Sequence, residues 1–257
     1  CLLDPKSSGS VNFWNTESEK MESIDELDDE GMRSFRRNMQ MIFQDPYESL
    51  NPRWTIKDII KEPLDIHNIG ALNDREEAVI EILRTVGLTP PENYLARYPH
   101  EISGGQRQRV SIARTLIMKP KFVICDEPTS MLDVSIRISI MDLMLNLAKD
   151  LNVSYLYITH DLAVARYMCN RIAVMFNGKI VEIADTEELL NNPIHPYTKR
   201  LISSIPIPDP SYKRERYIIN YDELDKIIAK NPDDKMIDIG NEHLVATHDT
   251  KEYFIES

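Results

Sequence analysis

The stretch from Pro99 to Asp133, PHEISGGQRQRVSIARTLIMKPKFVICDEPTSMLD, constrains what this chain can fold into more than any other. It reads as loop, helix, buried strand and loop. Ser103 is placed to cap the following helix, and Gly104 and Gly105 let a ligand approach the backbone without interference from a Cβ. The first turn of such a helix carries unpaired N–H groups at the positive end of a dipole, which suits an anion such as phosphate. Val110, Ala113, Leu116 and Ile117 form a stripe at helical spacing, and Pro120 stops the helix. Phe122, Val123, Ile124 and Cys125 then make a continuous apolar run, the pattern of a parallel strand covered on both faces. The run ends in Asp126 and Glu127, so two carboxylates stand at the carboxyl end of a strand, where open α/β sheets bind ligands. A glycine-rich helix start or a core strand with a solvated acidic end is commonplace alone. The two in order, with the helix between them, point to phosphate chemistry.

Composition removes several other classes. At 257 residues, with 42% hydrophobic and 28% charged, the sequence suits a globular protein with a full core and room for a small appended domain. No apolar run approaches the length of a bilayer span and no signal-peptide pattern opens the sequence, so membrane association is expected to go through a partner. A net charge of −12 argues against broad nucleic-acid binding, which needs a basic face. Cys1, Cys125 and Cys169 show no CxxC spacing, which suggests a reducing compartment without structural disulfides or zinc. Cys125, inside the apolar strand, reads as core.

Either side of that stretch, the acidic segment Glu17–Glu30 reads as a solvated loop or short surface helix. Arg33, Arg36 and Arg37 precede a strand over 39–43, and Gln44 follows its end. Helices are predicted over Asp58–Asp65, Asp74–Val86 and Pro91–Tyr98, broken by Gly70, Gly87 and the Pro90-Pro91 pair. Ala78, Val79, Ile82, Leu83 and Val86 form a core stripe on the second of these. Beyond Asp133, the residues Val134, Ile138, Met141, Leu145 and Ala148 mark one face of a helix ending near Leu151. A β-rich run over 153–158 leads into Thr159-His160-Asp161. Ile172–Phe176, Asn177-Gly178 and Lys179–Ala184 read as a hairpin with a type I′ turn, and Asp185 with Glu188 as a capped helix start. A proline-punctuated helix and linker run from Asn192 to Pro210, and a small hairpin is expected around 236–247.

These motifs carry a resemblance to the ATP-binding cassette (ABC) ATPases. Ser103-Gly104-Gly105-Gln106 resembles their signature motif, Phe122–Glu127 their Walker B strand with its catalytic glutamate, and Ser130–Asp133 their D-loop. Gln44, in the context QDPYESLNP, is similar to the Q-loop of peptide and nickel importers, and His160 matches the switch histidine. The tail NPIHPYTKRL, running on to IPIPDP, resembles that of oligopeptide and dipeptide permease ATPases, most like the F-type oligopeptide subunit. Ile102 and Met131 stand where leucine and alanine are commoner, both apolar changes. No cysteine follows Cys169, so the iron–sulfur cluster of some related subunits is excluded on this chain. The family's GxxxxGK[ST] loop does not occur in the sequence. Either the sequence is a piece of a longer chain or the loop has been lost; the intact later motifs favour a piece.

The resemblance implies an α/β, P-loop NTPase-like nucleotide-binding domain over 1–192, with a parallel core sheet and a helical subdomain near 45–105, and a C-terminal extension over 193–257. It implies ATP and Mg²⁺ as cofactors. Glu127 would polarise the attacking water, Gln44 and Asp126 would hold Mg²⁺, and His160 would contact the γ-phosphate. Ser103, Gly104, Gly105 and Gln106 would serve the ATP of a second ATP-binding subunit, in a head-to-tail heterodimer, and Asp133 would couple the two sites. The implied assembly is a peptide importer with two transmembrane subunits, fed by an extracytoplasmic peptide-binding protein and carrying this chain peripherally on the cytoplasmic face. Residues 47–57 are the expected contact for the transmembrane subunit. Without the phosphate loop, the 257-residue chain alone is expected to hydrolyse no ATP. Two other readings are a non-catalytic remnant that binds partner subunits and a soluble non-transport ABC ATPase. The second would need a coiled-coil insertion or a second cassette, and neither is present.

Overall fold

Three β-rich runs far apart in the sequence line up as one parallel sheet, and the ends of those strands decide where chemistry can occur. The structure, a computed structural model, describes residues 8–15, 20–204 and 235–246. It divides into two compact units, Cys1–Ile158 and Thr159–Ser257.

The first unit opens with an antiparallel pair, β1 (Asn12–Asn15) and β2 (Lys20–Ser23). Helix α1 (Asp29–Asn38) follows and places Phe35 against Phe13, with ring centroids 4.8 Å apart. The acidic segment read as a loop or short helix thus contributes a strand and the first turn of α1. Ile24 is buried within it, and the Asp28 carboxylate accepts a bond from Gly31 N at 2.8 Å, capping α1. β3 (Met39–Ile42) then leads to Gln44.

The helical part comprises α2 (Pro46–Ser49), α3 (Ile56–Ile66), α4 (Leu72–Thr85) and α5 (Glu92–Leu95). Ile56, Ile59 and Ile60 of α3 and Val79 and Leu83 of α4 are buried, and α3 packs on both α4 and α6 (Gly104–Leu116). Over the predicted helix Pro91–Tyr98 only one turn forms. Tyr98 precedes Pro99 and is extended at φ −101°, ψ 159°, the conformation a following proline imposes. Val110, Ala113 and Leu116 of α6 are buried as the stripe requires. The helix ends at Leu116, before Pro120, and Lys119 beyond it is left-handed at φ +52°.

β4 (Phe122–Asp126) is the central strand of the order β3-β4-β5, parallel to both neighbours, with Met39 opposite Phe122 and Phe122 opposite Ser154. Val123 and Cys125 are fully buried, while Phe122 and Ile124 on the other face are half-buried. α7 (Val134–Leu151) turns a face to the core other than the one expected. Ile140, Met141, Met144 and Leu147 are buried, whereas Val134 and Ile138 are exposed. Apolar residues occur almost all round this helix, so their spacing alone does not fix its rotation. It ends at Leu151, with Asn152 left-handed at φ +51°. β5 (Ser154–Ile158) is the outer strand on that side among the described residues. Burial, with Cys125 beside it, pushes the Tyr155 phenol above its ordinary pKa.

The second unit contains α8 (Leu162–Met168), β6 (Arg171–Phe176), β7 (Lys179–Asp185), α9 (Thr186–Asn191), α10 (Pro196–Ser203), β8 (Met236–Asp238) and β9 (Leu244–Ala246). Its sheet runs β6-β7-β9-β8, all antiparallel. Asn177 and Gly178 have φ of +44° and +80°, the two positive values a type I′ turn needs. α9 begins where expected, but Asp185 makes no side-chain cap and instead lies 3.9 Å from Arg171. Leu162, Val174, Val181, Ala184, Leu189 and Ile202 form this unit's core. Inside it the Glu182 carboxylate is wholly buried. It accepts from Ile194 N at 2.8 Å, from His195 N at 3.0 Å and from His243 Nε2 at 2.7 Å. The expected second hairpin is present as β8 and β9, with Thr247 outside the described residues; so is the IPIPDP tail.

Candidate active site

The carboxyl ends of β3 and β4 bring Gln44, Asp126 and Glu127 together. Gln44 Nε2 donates to Glu127 Oε2 at 3.1 Å, across a sequence separation of 83 residues. Its own amide oxygen is then the atom that could face a cation. Glu127 sits at φ +41°, a left-handed conformation that non-glycine residues adopt at a cost and that clusters at functional sites. Neighbours hold it there. Glu127 N donates to Ile158 O at 3.0 Å, and both Ser130 N and Ser130 Oγ donate to Glu127 O, at 3.1 and 3.0 Å. Asp126, the last residue of β4, is half-buried, so this edge combines two carboxylates with an amide.

A second group forms at the start of α6. Ser103 Oγ accepts from Gln106 N at 3.3 Å, and Gln106 Oε1 accepts from Ser103 N at 3.0 Å, a reciprocal capping box. The first helical bond runs from Arg107 N to Ser103 O at 2.9 Å, so the N–H groups of Gly104 and Gly105 have no acceptor within the helix. The two glycines differ in what surrounds them. A Cβ on Gly104 would meet only Leu132 Cδ2, at 3.8 Å, so this position is open to a ligand. A Cβ on Gly105 would come within 2.7 Å of Ile136 Cγ2. The space the second glycine leaves is therefore occupied by the chain itself.

Asp133 is the exposed N-cap residue of α7 and makes no side-chain cap bond. The turn that leads to it is fixed by Leu132 N to Thr129 O at 3.2 Å and by a 3.2 Å contact between Thr129 Oγ1 and Tyr157 OH. His160, in the second unit, follows β5 by two residues and is exposed; Asp161 beside it caps α8, accepting from Ala163 N at 2.8 Å.

Three arginines of α6 escaped the sequence reading. The Arg107 guanidinium lies 3.9 Å from the centroid of the Tyr47 ring, and its Nε donates to Pro99 O. Arg114 donates to Ser49 O at 3.5 Å and pairs with Glu62 at 2.8 Å. Arg109 donates to Val86 O and, at 2.9 Å, to Ser139 Oγ; burial lowers its pKa. Arg107 and Arg114 are seven residues apart, two helical turns, and so share the face that holds the segment after Gln44. That spacing was the available signal.

Among the described residues, no cluster of three His, Cys, Asp or Glu side chains could hold a metal by itself, and no helix is long and apolar enough to cross a membrane. One carboxylate and one amide oxygen suit a cation such as Mg²⁺, which keeps several waters and takes its other ligands from phosphates. The open backbone at Gly104 fits a phosphate.

The family model for the ABC transporter domain matches residues 2–130, and that for the oligopeptide/dipeptide transporter C-terminal region matches 181–228. The oligopeptide transport ATP-binding protein OppF of Bacillus subtilis is 54% identical over 189 residues, covering 73% of this chain and 61% of its own length. OppF of Streptococcus mutans is 44% identical over 233 residues, covering 90% and 75%. The chain thus spans about three fifths of the length of the Bacillus relative. Among solved structures, the ATP-binding cassette MJ0796 bound to ADP and Pi is similar with a TM-score of 0.60 and 29% identity, over 72% of this chain and 76% of that one.

Proposed function

The chain belongs to the ABC transporter ATPase family, in its oligopeptide/dipeptide branch, and we propose that it is the ATP-binding and ATP-hydrolysing subunit of a peptide importer. The observation that carries this reading is the bond between Gln44 and Glu127 at the carboxyl edge of the sheet, beside Asp126. Glu127 orients and polarises a water for attack on the terminal phosphate, and Gln44 holds that carboxylate in register. Asp126 and the Gln44 amide oxygen would hold Mg²⁺, which would supply charge neutralisation on the phosphates. His160 contacts the γ-phosphate, and Ser103 to Gln106 serve the ATP of the second ATP-binding subunit in a head-to-tail pair. Asp133 couples the two sites.

Two transmembrane subunits complete the assembly, which places the chain peripherally on the cytoplasmic side. The segment after Gln44 is the docking surface for one of them. Tyr47 and Trp54 are exposed there at 60% and 39%, aromatic side chains of the kind enriched at protein contacts. Residues 1–192 form the nucleotide-binding domain and 193–257 the peptide-importer extension. The test is uptake of labelled oligopeptides into membrane vesicles carrying the importer, with this subunit expressed from its complete reading frame. ATP-dependent accumulation that disappears with Asp126→Asn supports the reading; uptake unaffected by that substitution sinks it.

A further inference from the structure

The second glycine of the Ser103–Gln106 motif is shaped by the chain itself. A Cβ at position 105 would lie 2.7 Å from Ile136 Cγ2, closer than real Cβ contacts come, and 3.7 Å from Ile136 Cδ1. The obstructing atom cannot swing away. Cγ2 is attached directly to the β-carbon of a β-branched residue within helix α7, where one χ1 rotamer dominates. Other contacts make the same junction rigid. Leu132 Cδ2 lies over Gly104, and Arg109 of α6 bonds Ser139 Oγ of α7 at 2.9 Å, one turn beyond Ile136. At the far end of the turn, Ser130 N and Oγ both bond Glu127 O. The segment 130–136 therefore bonds the backbone of Glu127 at one end and packs on the start of α6 at the other.

We propose that Ile136 is a positioning residue for the 103–106 motif: glycine is needed at 105 to seat α6 against Ile136, and this contact aims the Gly104 and Gly105 N–H groups. The inference rests on the proposed role of that motif in ATP binding. It assigns the need for Gly105 to packing within one chain, with Gly104 left as the glycine that must stay open for ligand. A side chain at 105 pushes the start of α6 away from α7 by the overlap, and displacements near 1 Å in a positioning group cost about 100-fold in rate.

The test compares Gly105→Ala, Ile136→Ala and the double variant, with Ser103→Ala as a control, by thermal melting of the complete subunit and ATP turnover of the assembled importer. Gly105→Ala is expected to melt lower and to lose about 100-fold in turnover. The double variant is expected to return to the melting temperature and the turnover of Ile136→Ala alone. Removing the Ile136 side chain is expected to leave the loss caused by Ser103→Ala uncorrected. A double variant that regains its melting temperature but not its turnover overturns the proposal, because ligand approach would then set the need for glycine. A double variant that regains neither also overturns it. Absence of turnover in the unsubstituted importer would count against the proposed function, while the melting comparison would still decide whether Ile136 excludes a side chain at 105.

Discussion

Glu182→Gln is a one-atom change whose effect follows from the hydrogen bonds of the second unit. Glu182 has no exposed surface, and its two oxygens take three donors. Oε1 accepts from Ile194 N and His243 Nε2, and Oε2 accepts from His195 N. Glutamine keeps the volume, so no cavity forms. Its NH₂ group, however placed, must face at least one of these donors, and it cannot accept. Leaving one buried donor unsatisfied costs about 1–3 kcal/mol. For a protein of this size that lowers the melting temperature by roughly 2–12 °C. Glu182→Leu strands all three donors and should lie beyond that range. Thermal unfolding followed by circular dichroism measures the shift, and hydrogen exchange of the Ile194 and His195 amides locates it. Glu182→Gln melting within about 1 °C of the unsubstituted protein, with unchanged protection at both amides, would refute the reasoning.

Three further outcomes are expected. Leu83→Ala, at a fully buried position of α4, should cost about 2–5 kcal/mol in urea unfolding, whereas Ile66→Ala, 66% exposed, should stay within about 0.5 kcal/mol. Burial and the charges of Arg37 and Arg33 hold the His67 pKa below its ordinary 6.5, so the folded chain binds fewer protons than the unfolded one as the pH falls through that value. Stability should therefore be fully present above it and decline below it, and His67→Gln should make the decline shallower in melting curves taken across that range. His160→Ala should lower ATP turnover by the importer about 100-fold or more, measured as phosphate release.

How much of this was legible in the sequence depended on whether a feature is local. The helix start at Ser103, the strand ending in Asp126 and the Asn177-Gly178 turn each draw on caps, runs and turn chemistry carried by adjacent residues, and each formed where expected. The three-stranded parallel order is consistent with strands separated by helices. What sequence spacing could not supply was rotation and contact. Apolar residues surround α7, so its buried face, Ile140 to Leu147, is selected by tertiary packing. β2 was hidden in an acidic segment because its partner β1, rather than its own composition, makes it a strand. The approach of Ile136 to Gly105 joins residues 31 positions apart on different helices and has no local signature. The Gln44–Glu127 bond is likewise invisible to spacing, although the family resemblance had already marked both residues.

The most direct test of the account is ATP turnover by the importer assembled with this subunit from its complete reading frame, comparing Glu127 with Glu127→Gln. The glutamine can still accept from Gln44 through its amide oxygen, so the 3.1 Å contact and the fold should survive while the carboxylate is lost. The account predicts that ATP binding persists and turnover falls by about 100-fold or more. Turnover by Glu127→Gln at the unsubstituted rate would contradict it.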